Sequence, residues 1–263
     1  MTTNPRPVPS KEWEDILEKR DNFRHLRWLF RWLPHDPRCE LCLAPFAGIG
    51  GTMVRTFKGI KPSTLNPHYC NDCELVSKDH PGGAEADVAL LFADIRGSTA
   101  LAETMEPADY SAIISRYFSE ASHVLIHARA LIDNLAGDGV NAIFARGFAG
   151  DHYVRRAIDA ARRLLEITGH GPGEEPWIPV GVGVHWGRAF VGGVGKAGRL
   201  VTITALGDSV NVAARLASVA GKGEAVISEA ACHQAELDCH DYPSKDLKLK
   251  GRAEPVTAYV ISA

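Results

Sequence analysis

Residues 86–94 read ADVALLFAD and run straight into IRGST at 95–99. The apolar run Val88, Ala89, Leu90, Leu91, Phe92 is too short for a core helix and fits a strand buried on both faces. Asp94 then stands at the mouth of that strand, followed by the turn-formers Gly97, Ser98 and Thr99. A carboxylate so placed can hold a hard cation, although an Asp that merely starts a turn reads the same way. A second position of this kind tips the balance. In LIDNLAGDGVNAIFA, residues 131–145, two short apolar stretches flank Gly137, Asp138 and Gly139, the pattern of a tight hairpin with a carboxylate at its tip. Two converging strand-end carboxylates are what a pair of Mg2+ ions requires around a nucleoside triphosphate.

The chain has 263 residues, 45% of them hydrophobic and 23% charged, with a net charge of -3 and a pI near 6.4. This describes an ordinary soluble protein with one large or two unequal domains, and its charge gives no reason to expect a nucleic-acid partner. The start is polar and Pro-rich, and no apolar run approaches the ~20 residues of a spanning helix. A cytoplasmic protein without a leader or membrane span is therefore expected.

Residues 1–37 are expected to hold an amphipathic helix over 11–33. Trp13, Ile16, Leu17, Phe23, Leu26, Leu29, Phe30 and Leu33 form its apolar stripe, and Arg20, Arg24, Arg27 and Arg31 crowd its later turns. A basic, Trp-bearing helix can lie on a membrane, but it more often packs on its own protein or a partner subunit, so membrane association is not expected. Residues 38–76 carry two C-x-x-C knuckles, Cys39/Cys42 and Cys70/Cys73, which suit tetrahedral Zn2+ in a structural role. The knuckles are far apart in sequence, and an iron–sulfur cluster or unliganded thiols are the alternatives. Gly48 to Gly51 read as loop, residues 77–86 as a linker, and Cys232 and Cys239 as buried or idle thiols rather than ligands.

From 87 to 263 the pattern alternates. Long helical periodicity spans 101–130 and 151–168, and strand-like runs cover 179–185, 189–194, 200–206, 224–228 and 256–261, with a helix at 208–219. Strands joined partly as hairpins and interleaved with helices indicate an α+β fold with helices on one face of a mainly antiparallel sheet. In LVTITALGDSVNVAARLA, residues 200–217, Asn211 and Arg215 stand at i and i+4 on one helical face. Such a pair is often only a solvated face. It can also orient a sugar oxygen and stabilise charge on a phosphorus centre.

Five segments, LLFADIRGST, LAGDGVNAIF, VGVGVHWGRAFVGGVG, LVTITALGDSVNVAARL and LKLKGRAEPVTAYVI, together resemble the catalytic domain of class III nucleotidyl cyclases in order and spacing. The resemblance implies a ferredoxin-like domain acting as a head-to-tail homodimer that makes cyclic AMP or cyclic GMP, and the hydrogen-bonding capacity of Asn134 and Thr204 favours ATP as substrate with GTP as a side substrate. The resemblance further implies two Mg2+ or Mn2+ held by Asp94, Asp138 and the Ile95 carbonyl of one protomer. Asn211 and Arg215 of the other would orient the ribose and stabilise the transition state, with Lys250 on the terminal phosphates. The position at which the family reads adenine with Lys falls on Asn134, and its partner position falls on Thr204. Asn134, Ser98 in place of a frequent Phe, and Gly181 in place of an occasional Arg are departures. They leave two rival readings open: a nucleotide-binding regulatory domain without turnover, and an interaction protein built on the Cys-rich segment.

Overall fold

The structure is a computed structural model, and it describes residues 10–19, 24–33, 37–39, 42–63, 69–73, 82–195, 201–248 and 255–262. In chain order its helices are α1 (Lys11–Glu18), α2 (Arg24–Phe30), α3 (Gly48–Lys58), α4 (Ser98–Thr104), α5 (Pro107–His127), α6 (Arg146–Ala149), α7 (Tyr153–Leu165), α8 (Asp208–Val219) and α9 (Glu229–Gln234). The strands are β1 (Gly83–Ile95), β2 (Leu131–Ala136), β3 (Gly139–Phe144), β4 (Val180–Gly195), β5 (Val201–Leu206), β6 (Glu224–Ser228), β7 (Ser244–Leu247) and β8 (Val256–Ser262). They form one sheet in the order β2-β3-β1-β4-β6-β8-β7, with β5 paired to β4 off this path. The β4–β6 pair is parallel and the other pairs are antiparallel.

β1 is the centre, as its composition dictates. Val88, Ala89, Leu90 and Leu91 are fully buried, so apolar side chains on both faces of the strand leave water. Each such large side chain contributes roughly 1.5–3 kcal/mol. On one face Tyr117 of α5 donates its hydroxyl to the Ala93 carbonyl, and Trp186 of β4 donates its indole N–H to Tyr153 of α7. Side chains alternate along a strand, so the odd-numbered residues of β4 face the other way. There Gly183 lies against the backbone of Ala213 and Ala217 of α8, so close that a Cβ would collide. Helices therefore cover both faces rather than one. α8 can seat so deeply because β4 offers glycines beneath it.

Several sequence expectations are corrected. The helix read over 11–33 is two helices: Lys19 is extended and closes α1, and α2 begins at Arg24. Gly48 to Gly51 start α3 instead of forming a loop, and Gly51 is glycine because a Cβ would strike the Phe46 backbone. The stretch read as linker already enters β1 at Gly83, with Ala84 and Ala86 buried. The two strands read over 179–194 are one 16-residue strand, since Gly187 is not a turn but the place where the Ser209 hydroxyl rests on β4. The helical pattern of 101–130 is divided before Pro107, which starts α5. Cys232 and Cys239 are joined as a disulfide. The short strand β7 escaped the sequence reading because its four residues, Ser-Lys-Asp-Leu, show no apolar run.

Candidate active site

The ladder between β1 and β3 sets Asp94 opposite Gly139, and the β2–β3 hairpin turns at Gly137 and Asp138 with Gly137 at φ 65°. The Ile95 N–H donates to the Asp138 carbonyl at 3.1 Å, which locks the hairpin tip against the end of β1. The two predicted carboxylates are thus brought together by backbone pairing alone. A Cβ at Gly139 would run into the Asp94 carboxylate and push it out of its present position, so glycine leaves that carboxylate where it is.

Each carboxylate has its own partner. Arg96 pairs with Asp94 at 3.2 Å and also donates to the carbonyls of Asp94 and Ser218. Ser98 donates its hydroxyl to Asp138 at 2.5 Å, so the residue that departs from the family's frequent Phe orients a carboxylate. Burial pushes the Asp94 carboxyl above the ordinary Asp value, Arg96 pulls it back, and the Asp138 charge pushes it up again. Two carboxylates side by side at a partly exposed strand end, one of them pushed up by burial and by its neighbour's charge, form a site where added positive charge is favoured, so the donor set fits hard divalent cations. Ile95 is buried, with its position fixed by the Asp138 hydrogen bond.

Asp94 lies opposite Gly181 in the β1–β4 ladder, on the face that carries α8. α8 runs from Ser209, whose hydroxyl donates to the Arg188 carbonyl, to its C-cap Ala220, whose carbonyl abuts Gly181. Gly181 is therefore glycine for packing; a larger residue would meet the carbonyls of Ala220 and Gly221 at about 3 Å. Asn211 and Arg215 are both exposed on α8. At ~1.5 Å per residue, Asn211 sits about 13 Å along the helix from the end beside Asp94. Among the described residues no hydrogen bond or ion pair joins either of them to the two carboxylates.

Thr204 of β5, opposite Gly192 of β4, donates to Asp133 at 3.0 Å. β2 is irregular between Ile132 and Asn134, and Asp133 drops out of the ladder with β3. Such a bulge re-aims a side chain. Burial raises the Asp133 carboxyl, while hydrogen bonds from Thr204 and the Ala205 backbone lower it. Sequence reading missed Asp133; its only signal is an acid inside an otherwise apolar strand. Asn134 lies in β2, and Lys250 lies outside the described residues.

The four cysteines also converge. Cys39, Cys42, Cys70 and Cys73 are buried, and their sulfurs all lie within 4.8 Å of one another. Cys42 and Cys70 sulfurs are 3.7 Å apart. The edge of a ZnS4 tetrahedron with bonds of about 2.3 Å is about 3.8 Å. A multi-iron cluster between the thiolates would spread them wider. The backbone N–H groups of Cys70 and Cys73 donate to the sulfurs of Cys39 and Cys70, and hydrogen bonds from the other three thiols hold Cys70 well below the ordinary thiol value.

Beside this cluster Arg27 is buried, donating to the Ala130 carbonyl at 2.5 Å with its guanidinium 5.4 Å from the Phe148 ring centre. Burial lowers it to about 10, against the pull of Cys42, Cys39 and Cys73, so it stays a cation at neutral pH. The expected basic surface thus loses one arginine to the interior. The segment also reaches the catalytic sheet, for the Ile203 N–H of β5 donates to the Tyr69 hydroxyl at 3.2 Å.

Residues 83–263 match the family described as the adenylate and guanylate cyclase catalytic domain. The chain belongs to this family. The chain is 30% identical over 189 residues to an adenylate cyclase of Anabaena cylindrica, covering 67% of this chain and 37% of that one. It is 32% identical over 139 residues to an uncharacterised protein of Mycobacterium tuberculosis, 53% of this chain and 24% of that one. The chain thus spans well under half the length of these curated relatives. Among solved structures, a guanylyl cyclase aligns with a TM-score of 0.61 at 25% identity, covering 68% of this chain and 93% of that one. The adenylyl cyclase CyaB of P. aeruginosa aligns at 0.57 and 24% identity, covering 68% and 95%, which bears on the fold alone. No helix among the described residues is long and apolar enough to cross a membrane.

Proposed function

We propose that the chain converts ATP to 3′,5′-cyclic AMP and pyrophosphate, with GTP as a lesser substrate, at a site shared by two copies. The observation that carries this is the separation within one chain. The Asp94/Asp138 pair lies at one end of α8, while Asn211 faces outward about two and a half turns away. A second copy packed head to tail supplies what the first lacks.

Asp94, Asp138 and the Ile95 carbonyl would hold two Mg2+ or Mn2+, whose chemistry is to lower the pKa of the ribose 3′-hydroxyl and offset charge on the leaving pyrophosphate. Arg96 keeps Asp94 charge-balanced until then. Asn211 of the partner copy orients the ribose, Arg215 stabilises charge on the α-phosphorus, and Lys250 grips the terminal phosphates. Asn134 and Thr204 read the base. Residues 38–76 hold one structural Zn2+ through Cys39, Cys42, Cys70 and Cys73, with Arg27 offsetting the thiolate charge. Catalysis belongs to 87–263.

The test mixes two inactive variants, Asp94→Ala and Arg215→Ala, under conditions where subunits exchange, and separates the products from ATP and GTP. Recovered cyclic AMP from one competent site per mixed dimer is expected. A mixture that stays inactive while exchange is demonstrated refutes the shared site.

A further inference from the structure

A threonine hydroxyl can accept from an amino group or donate to a carbonyl, so alone it separates adenine from guanine weakly. In this chain that freedom is curtailed. The Thr204 hydroxyl donates to Asp133 at 3.0 Å, with the Ala205 carbonyl a longer, weaker acceptor at 3.5 Å, and the same carboxylate takes a hydrogen bond from the Ala205 backbone. The β2 bulge that removes Asp133 from its ladder is what turns an acid toward β5. A carboxylate only accepts. The single hydroxyl hydrogen is therefore committed to the protein, and what Oγ1 has left to offer is acceptor capacity alone.

We infer that Asp133 is a positioning residue for base selection: by holding the Thr204 hydrogen it makes Oγ1 a fixed acceptor, which suits the adenine 6-amino group and opposes guanine O6. The inference rests on the reading that Thr204 faces the purine. Two acceptors set against each other leave both without a hydrogen, so GTP is penalised more than a freely turning hydroxyl would penalise it. Asp133 touches no substrate atom. It acts through Thr204.

The experiment compares kcat/KM for ATP and GTP in the full chain. Asp133→Asn keeps the size but offers an amide that can donate to Oγ1, which frees the hydroxyl hydrogen for guanine. The ATP/GTP ratio is expected to fall about tenfold, chiefly through improved GTP use. Asp133→Ser, able to donate likewise, replaces it if the Asn variant does not fold. Thr204→Ser should retain the wild-type ratio. Thr204→Val should lower it, after which adding Asp133→Asn should change it no further, a non-additivity that a purely structural acid would not produce. Displacement of a fluorescent ATP analogue by ATP and by GTP reads the same ratio without turnover. If no variant or wild type makes cyclic product but displacement still shifts, the cyclase reading fails and this one stands. An unchanged ratio in Asp133→Asn, in turnover and displacement alike, overturns the role of Asp133 and leaves the cyclase reading intact.

Discussion

The sheet of residues 83–262 and the segment of residues 10–73 are held together by different means. In the sheet, thirteen consecutive residues of β1 pair with β4, and burial on both faces follows from that ladder. Among its described residues the N-terminal segment has helices of 8, 7 and 11 residues and two isolated bridges, Arg38–Pro45 and Pro62–Cys70. It leaves Trp28, Trp32, Ile49 and Phe57 largely exposed, buries Trp13, Leu17, Phe30 and Leu43 in the common core, and adds to them four sulfurs and a buried arginine. Helices this short are marginal by themselves. Where a chain closes no ladder, apolar anchors and a few buried polar centres hold it in place together, and losing one of those centres is felt across the whole segment.

The comparison breaks most sharply at the carboxylates. Asp94→Ala or Asp138→Ala should lower cyclic nucleotide formation by at least about a hundredfold, because each removes charge that holds metal worth several kcal/mol. Circular dichroism and thermal melting should stay near wild type, since the ladders that place them are backbone-made. Next come the cysteines. Cys39→Ser or Cys70→Ser should release about one zinc per chain and expose residues 10–73 to limited proteolysis while the sheet remains protected. A brown protein containing iron and labile sulfide would overturn the zinc assignment. Arg27→Met should destabilise that segment by about 3 kcal/mol, read as earlier melting and faster zinc loss to a chelator, because the buried thiolate charge is left uncompensated.

The smallest effect belongs to the sheet's own electrostatics. Glu224 accepts from the Gly221 N–H and pairs with Lys245 at 3.1 Å, and both hold its carboxyl below the ordinary Glu value. A depressed pKa contributes stability above the unfolded value that disappears as pH falls through the folded one. Glu224→Gln should therefore cost about 1 kcal/mol or less at pH 7, and melting curves of variant and wild type should converge below about pH 4.

Legibility in the sequence followed the same division. β1, the Gly137–Asp138 turn, α8 and β6 were readable because an apolar run, a turn dipeptide or a start just after a glycine marks each, although Gly207 caps α8 without a side-chain bond and Ser209 donates to the Arg188 carbonyl instead. The resemblance supplied Asn211 and Arg215, which look like any solvated pair on a helix. β4 was misread as two strands since Trp186-Gly187-Arg188 resembles a turn, whereas Gly187 makes room for the Ser209 hydroxyl. Glycines at 48–51 misled for a related reason: their meaning lies in the neighbour they admit, here the Phe46 backbone, and that neighbour is not local. Arg27 and Asp133 were illegible because a charge's burial depends on partners far along the chain, Ala130 at one end and Thr204 at the other.

The Tyr69 hydroxyl on the Ile203 N–H has a consequence for solubility. Among the described residues β5 forms a ladder only with β4, and its outward N–H groups at Ile203 and Ala205 go to the Tyr69 hydroxyl and the Asp133 carboxylate instead of to another strand, the kind of partner an open edge recruits. A phenol delivered from the cysteine-rich segment occupies one of the donors that such a strand would seek. Stripping that segment away would uncover a sticky margin beside the base-reading threonine, and the bare sheet would be expected to form strand-paired aggregates before it lost its fold.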